Sequence, residues 1–201
     1  MTTESKWTLN LINSQITFQV KPLMMVNLDG VFSGFDAGIY MLANNFMTAE
    51  VNLRIDSATV STSDEKRDEH LRSIDFLDAG NHPQITFVST SVEKSSLDGS
   101  YVLFGDLTLK GVTKKIKLSA KHGPTVYDSF GNKTIEFIFS GGISQSGWGL
   151  NCDRLIEDGS KIKAEEILIT CQLELSNARQ RNLQMDLAHK AATGFNESGT
   201  L

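Results

Sequence analysis

The side chains most capable of chemistry cluster in residues 66–87, KRDEHLRSIDFLDAGNHPQITF. Histidine and carboxylate groups of this kind ligate zinc or act as general acids and bases. The candidates are His70, His82, Asp68, Asp75 and Asp78. The two histidines are twelve residues apart, outside any helical HxxxH or Cys–His pattern, and no nucleophile elbow or partnered triad accompanies His70. We therefore expect neither a metal site nor catalytic residues.

The same segment also has a structural interpretation. Residues 64–74 lack a two-residue period, are rich in helix formers and carry a capping serine or aspartate at their start, which predicts a short helix. Acidic residues in its first turn suit the helix dipole. We expect Arg67, Asp68 and His70 to anchor this helix across one end of the fold through hydrogen bonds and ion pairs.

Most of the remaining chain has the period of β-strands. Ile16, Phe18 and Val20 alternate with polar residues, and the same alternation recurs over residues 51–55 and 167–175. Around eight antiparallel strands, each with one apolar face, must close into a barrel or stack as a sandwich. The sequence therefore predicts an all-β fold with a short helix between strands.

Composition excludes several classes of protein. A chain of 201 residues with a net charge of −5 suits one domain with its own core and does not suit a nucleic-acid binder. No apolar run approaches the roughly 20 residues of a membrane span. The N-terminal MTTESKWTLN shows no export signal, so we expect a cytoplasmic protein, or a periplasmic one if a signal peptide has been removed.

The two cysteines, Cys152 and Cys171, are expected to be free thiols, as is usual in the cytosol. Cys171 shares strand parity with Ile169 and Leu173, which predicts a buried and unreactive thiol.

The end of the chain differs from the rest. The strand pattern ends near Leu175, and the residues that follow have good helical propensity. We therefore divide the chain into a β domain, residues 1–176, and a helical or flexible C-terminal extension, residues 177–201.

Several long segments resemble the YceI-like family. They are WTLNLINSQITFQV, IDSATVSTSDEKRDEHLRSIDFLDAGNHPQITFVSTSV, YVLFGDLTLKGVTKKIKL, SGWGLN and EEILITCQLEL, and together they span residues 7–175. The resemblance implies an extended lipocalin-like barrel of eight antiparallel strands. Several family members hold a polyisoprenoid, a quinone or another long-chain amphiphile in the lumen, and some form homodimers. Many relatives are exported and lack the C-terminal extension, so this chain departs from them in both respects.

A barrel of eight strands is just wide enough to be filled by its own side chains or to hold one small ligand. The inward candidates by strand parity are Phe18, Val20, Leu53, Ile55, Phe87, Leu103, Leu107, Leu118, Phe137 and Phe139. Such an apolar lining selects hydrocarbon and offers no reactive group. With the resemblance, it predicts a non-enzymatic protein without a cofactor that sequesters or carries a long-chain isoprenoid of polyprenyl or quinone type.

Three alternatives stay open from the sequence. The lumen could take a fatty acid or fatty amide, the chain could be a lipid-modifying enzyme with His70 as base, or the barrel could be a solid interaction module.

Smaller features carry their own expectations. Gly105 inside a strand predicts a bend or bulge, and Gly111 predicts a hairpin turn. The lysines of residues 114–117 are typical of a solvated strand face, although they could attract an anionic headgroup. Trp148 is expected either at the barrel rim or in ordinary packing.

Overall fold

The computed structural model describes residues 4–20, 28–42, 45–96, 100–127, 132–150 and 166–177. Its strands are β1 (Glu4–Val20), β2 (Leu28–Phe32), β3 (Phe35–Leu42), β4 (Glu50–Asp56), β5 (Val60–Ser61), β6 (Gln84–Lys94), β7 (Tyr101–Leu109), β8 (Val112–His122), β9 (Val126–Tyr127), β10 (Lys133–Ser144) and β11 (Glu166–Asn177). In the described part of the chain the single α-helix is α1 (Glu65–Arg72), and short 3-10 turns cover Phe46–Thr48, Ser57–Thr59 and Gln145–Trp148.

Eight of the strands close into a barrel. Around the ring the order is β1, β3, β4, β6, β7, β8, β10 and β11, and β11 pairs with β1 to complete it. Every ladder is antiparallel, and the short strands β2, β5 and β9 pair with β1, β2 and β10, respectively. Closure pairs the strand edges and puts every apolar face in one interior. The predicted all-β, eight-stranded antiparallel barrel is confirmed.

Strand β1 is long because two strands, β3 and β2, pair with it one after the other along the same edge. Its first residues pair with β3, and Ile16–Val20 pair with β2, which leads into β3 through Ser33 and Gly34. On its other side β1 pairs with β11, with a shift of register between Asn10 and Gln15. This bulge bends the strand as the wall curves.

Both glycine predictions are confirmed in position. Lys110 and Gly111 have φ of 50° and 73°, so β7 and β8 join through a two-residue turn of the I′ kind between paired Leu109 and Val112. The bulge near Gly105 lies in the partner strand β6, between Ser89 and Ser91. The glycine itself makes room: a Cβ there would collide with the Phe87 ring and lie 2.6 Å from the Val88 carbonyl oxygen.

Helix α1 begins and ends close to the predicted residues 64–74. Asp64 is the N-cap, and its Oδ1 accepts from the backbone N–H of Arg67 at 3.1 Å. The helix ends two residues earlier than predicted, at Arg72, because Ser73 is extended and its backbone N–H bonds to the His70 carbonyl oxygen.

The buried carboxylate of Asp68 holds this helix to the barrel. Asp68 Oδ1 accepts from the Thr62 N–H at 2.7 Å and from the Thr62 hydroxyl at 2.6 Å, and Oδ2 accepts from the Ser61 hydroxyl at 3.0 Å. Arg67 donates to Thr62 Oγ1 at 2.7 Å and to the Thr62 carbonyl oxygen at 2.9 Å. The predicted anchoring by Arg67 and Asp68 is therefore present.

The expectation for the ion pairs and for His70 was wrong. The ion pair of this helix joins Arg72 to Glu65 at 2.7 Å and is partly exposed. The His70 ring adds no anchor through its Nε2, which is buried and has no hydrogen-bond partner among the described residues; only the His70 carbonyl accepts, from Ser73.

Two expectations fall outside the described residues. Cys152 is one, and the C-terminal extension is the other, except for Asn177, which is the last residue of β11.

The Asp68 contacts predict a pH-dependent stability. Burial raises the pKa of Asp68, but the hydrogen bonds from Thr62 and Ser61 and the charge of Arg72 outweigh it, so the pKa lies below its ordinary value of 3.8. A carboxyl group with a lowered folded-state pKa stabilises the fold above its unfolded pKa, about 3.9, and loses that contribution as the pH falls through the folded value.

We expect Asp68→Asn to lower the free energy of unfolding by about 1–3 kcal/mol at pH 7, because the amide leaves buried donors poorly paired. The deficit should begin to shrink below pH ~4, where the unfolded chain binds a proton at this carboxyl group, and should be lost once the pH falls below the lowered folded-state pKa. Denaturant unfolding at pH 7 and pH 3 measures both effects, with exposed Glu69→Gln on the same helix as control. If Asp68→Asn lowers the free energy of unfolding by the same amount at both pH values, the lowered folded-state pKa of Asp68 is contradicted.

Candidate ligand-binding cavity

An apolar cavity occupies the half of the barrel next to α1. All of its described lining residues are apolar, and they are Ile16, Phe18, Val20, Phe32, Leu53, Ile55, Val60, Leu71, Phe76, Leu77, Ile85, Phe87, Leu107, Leu109, Ile116, Leu118, Ile143, Leu150, Ile167, Ile169 and Cys171. The space left open inside is narrow, about 80 Å³. A site without polar partners does not retain water, so the cavity is suited to hydrocarbon.

The stretch that follows α1 closes one end of this cavity. Leu71, Phe76 and Leu77 are buried and contribute to the lining. The chain is folded back onto the helix here, since the N–H of Leu77 bonds to the Leu71 carbonyl oxygen at 3.0 Å and the N–H of Phe76 to the Ser73 carbonyl oxygen at 3.1 Å. The segment with the most polar chemistry in the sequence therefore shapes an apolar wall.

The opposite half of the barrel is solid. Phe46 enters it from a 3-10 turn capped by Asn45, and its ring lies 4.9 Å from Tyr101 and 5.6 Å from Phe137, centroid to centroid. Phe137 and Phe139 stack at 6.1 Å. Trp7, Ile39, Leu103, Leu173 and Leu175 are also almost completely buried and are not part of the cavity lining.

The predicted lumen residues divide between these two halves. Seven line the cavity: Phe18, Val20, Leu53, Ile55, Phe87, Leu107 and Leu118. Leu103, Phe137 and Phe139 point inward as expected but belong to the solid half. Strand parity identifies the inward face of a strand but not the height of a residue along the barrel axis. Contact of any of the ten with a ligand stays a prediction.

Other lining residues were missed by sequence reasoning. Ile16, Ile85 and Leu109 share the parity of candidates on their own strands, so the alternation could have identified them. Phe76 and Leu150 belong to no strand, and no periodic signal marks them.

The described lining of the cavity contains no group suited to acid–base or nucleophilic chemistry. Its one sulfur belongs to Cys171, and burial raises the pKa of that thiol to about 12, so it stays protonated. This agrees with the predicted buried thiol. His70 is not part of the lining.

The described residues also bear on metal binding and membrane insertion. Across the described ranges, no three His, Cys, Asp or Glu side chains are grouped so that they could hold a metal ion. No helix within those ranges is long and apolar enough to span a bilayer.

The Trp148 side chain is anchored at the edge of the barrel. Its Nε1 donates to the Val112 carbonyl oxygen at 3.0 Å, and the ring is 5 % exposed, with Lys114 Nζ 5.5 Å from the ring centroid. Both expectations for this residue are met, since it packs at the rim.

Because one half of the barrel is packed and the other contains a cavity, changing a leucine to alanine should lower the free energy of unfolding by different amounts in the two halves. Leu103→Ala should lower the free energy of unfolding by about 3–5 kcal/mol, because the side chain is wholly buried in the solid half. Leu53→Ala should cost about 1–2 kcal/mol in lipid-free protein, because Leu53 is only partly buried and faces space that is already open. Chemical denaturation of both variants tests this, and equal costs would mean that the cavity is closed in solution.

Comparisons with known proteins agree with this architecture. The YceI-like domain family matches residues 7–175. A UPF0312 protein of Pectobacterium carotovorum is 38% identical over 138 residues, which cover 69% of this chain and 71% of that protein. The structure of Burkholderia cenocepacia BcnA aligns with a TM-score of 0.68 at 22% identity, covering 83% of this chain and 98% of BcnA. A Saccharophagus degradans domain described as polyisoprenoid-binding aligns with a TM-score of 0.63 at 16% identity, covering 86% of this chain and 98% of that domain. With a family match over most of its length and a barrel of the same fold, this chain belongs to the YceI-like family.

Proposed function

We propose that this protein binds a long-chain isoprenoid lipid, of polyprenyl or quinone type, in the apolar half of the barrel and so sequesters or carries it. The observation that carries the proposal is the described lining of the cavity, in which every residue is apolar and none could hold water or react. The polyisoprenoid-binding description of the Saccharophagus degradans domain supports the same class of ligand.

The energetics permit tight binding through the tail alone. Burying roughly 500 Å² of hydrocarbon would contribute about 12 kcal/mol to the free energy of binding, before the entropy lost on association is subtracted. Immobilising and ordering a flexible chain would offset several kcal/mol of this, which still leaves useful affinity.

The narrow open space sets a condition on the ligand. About 80 Å³ is enough for several water-sized groups, each of which needs about 10–15 Å³, but not for a bulky ring system. A thin and flexible chain can enter if the lining side chains change rotamer. Phe32, Leu53, Ile116 and Ile169 are the lining residues that are only partly buried and so have the most room to move.

The alternatives differ from this proposal in measurable ways. A fatty acid or fatty amide would occupy the same cavity and would be distinguished by its mass. An enzyme would need a polar group at the cavity, which the described lining lacks, and His70 lies outside it. A solid interaction module would contain no lipid. The cytoplasmic location and the homodimer stay predictions.

Mass spectrometry of an organic extract tests the proposal directly. Protein purified from a host that makes isoprenoids and quinones should release about one long-chain lipid per chain, because an apolar cavity is costly to leave empty. Fatty acid or amide at that ratio would support the runner-up ligand. An extract free of lipid would contradict the carrier.

Filling the cavity from within should prevent binding. Leu107→Trp adds a large ring to the lining, so the co-purified lipid should fall at least about tenfold while the barrel stays folded. Thr108→Trp on the same strand is the matched control, since its side chain lies on the other face and bonds to Thr113 at 2.8 Å outside the barrel. Unchanged lipid in Leu107→Trp, with a normal circular dichroism spectrum, would place the ligand elsewhere.

A further inference from the structure

The described lining of the cavity ends at a definite residue on each strand. On β11 it ends at Cys171, and the next inward residue, Leu173, is almost completely buried in the solid half. On β8 it ends at Leu118, and the next inward residue is the fully buried Ala120. The boundary between the cavity and the solid half can therefore be followed from strand to strand.

Phe139 of β10 lies at this boundary. Its register partners are Cys171, the last lining residue of β11, and Ala120, the first solid-half residue of β8. On β10 itself the lining contains Ile143, and the inward position between the two residues is Gly141, which has no side chain. The small side chain of Ala120 leaves space at this level, and the buried Phe139 ring lies at the floor of the cavity.

Two further rings pack behind Phe139. The rings of Phe137 and Phe139 are parallel within 3°, with centroids 6.1 Å apart. The Phe46 ring lies 6.5 Å from Phe139 and 5.6 Å from Phe137. Aromatic rings at such separations attract each other beyond their burial of area. We call Phe46, Phe137 and Phe139 the aromatic floor.

The backbone that carries Phe46 is closed on itself. Asn45 Oδ1 accepts from the Met47 N–H at 3.1 Å, and the Thr48 hydroxyl donates to the Asn45 carbonyl oxygen at 2.7 Å. The Ala49 N–H donates to the Phe46 carbonyl oxygen at 3.0 Å. These bonds fix the turn, so the Phe46 ring is held in the barrel by local contacts.

The strand register also gives the length of the cavity. The lining spans Ile16 to Val20 on β1 and Ile167 to Cys171 on β11. At ~3.3 Å per residue, each span is about 13 Å long. A lipid tail longer than this has to fold back on itself or leave part of its hydrocarbon outside the cavity.

We propose that the aromatic floor sets the length of lipid tail that the barrel can enclose, with Phe139 meeting the end of the tail and Phe46 holding Phe139 in place. The inference rests on the proposed lipid-binding function and adds selection by tail length. Each further isoprene unit stabilises the complex only if its hydrocarbon is buried. Beyond the floor, burial requires moving close-packed rings, which destabilises the solid half. Affinity should therefore rise with tail length only until the tail reaches Phe139.

A series of prenyl alcohols tests this limit. Geraniol, farnesol and geranylgeraniol share a headgroup and lengthen by one isoprene unit at each step. Lipid-stripped full chain is incubated with equal amounts of two alcohols in excess, and the bound alcohols are quantified by mass spectrometry after gel filtration. Wild type should retain farnesol at least about tenfold over geraniol, and should retain farnesol and geranylgeraniol about equally. A tenfold preference for geranylgeraniol over farnesol in wild type would overturn the inference.

Variants of the floor should move the limit. Phe139→Ala should retain geranylgeraniol at least about tenfold over farnesol, because the opened floor lets the extra unit be buried. Phe104→Ala removes the same ring from the outer face of β7 and should keep the wild-type ratio. Leu175→Ala loosens the solid half away from the floor and should also keep it. If Phe139→Ala does not fold, Phe139→Leu has a smaller side chain and should still raise the ratio.

The outcomes separate this inference from the proposed function. Floor variants that bind both alcohols in the wild-type ratio would overturn the length limit and leave lipid binding intact. A raised ratio in Leu175→Ala would also overturn it, since general loosening and not the floor would then set the limit. Failure of wild type to bind any of the three alcohols would overturn the proposed function and the inference with it.

Discussion

The structure depends on the closure of one ring of eight strands, each of which has an apolar face that must leave water. Once the ring is closed, every apolar face points into a single interior, and the side chains have to fill a cylinder whose width the strand number sets. They fill it unevenly. Phe46, Tyr101, Phe137 and Phe139 pack one half, whereas aliphatic side chains line the other half and leave a narrow space.

The end of the cavity next to α1 is held in place by buried hydrogen bonds. The buried carboxylate of Asp68 accepts three hydrogen bonds from Ser61 and Thr62, and this fixes α1 against β5. With the helix fixed, Leu71, Phe76 and Leu77 form an apolar wall. A polar anchor therefore positions an apolar wall, and the described lining of the cavity has no polar residue.

Among the described residues, the ladder between β8 and β10 is the shortest in the ring. The ladder between β8 and β10 ends at Ser119 and Ser140, while the neighbouring ladders continue. The two strands still pack beyond that point, since a Cβ on Gly141 would lie 3.1 Å from the Lys117 carbonyl oxygen.

The sequence by itself determined the all-β class, the barrel with its family, the short helix and its capping aspartate, the hairpin at Gly111 and the inward face of each strand. The class, the helix, the hairpin and the inward faces follow from periodicity and local propensity, which act over a few residues, whereas the choice of a barrel over a sandwich came from the resemblance to the family. Only the tertiary structure decided that Phe87 and Leu107 line a cavity while Phe137 and Leu103 pack in a solid half, because height in a barrel depends on register between strands distant in sequence. The lining by Phe76 and Leu150 was likewise beyond the sequence, since loop packing depends on how the whole ring closes.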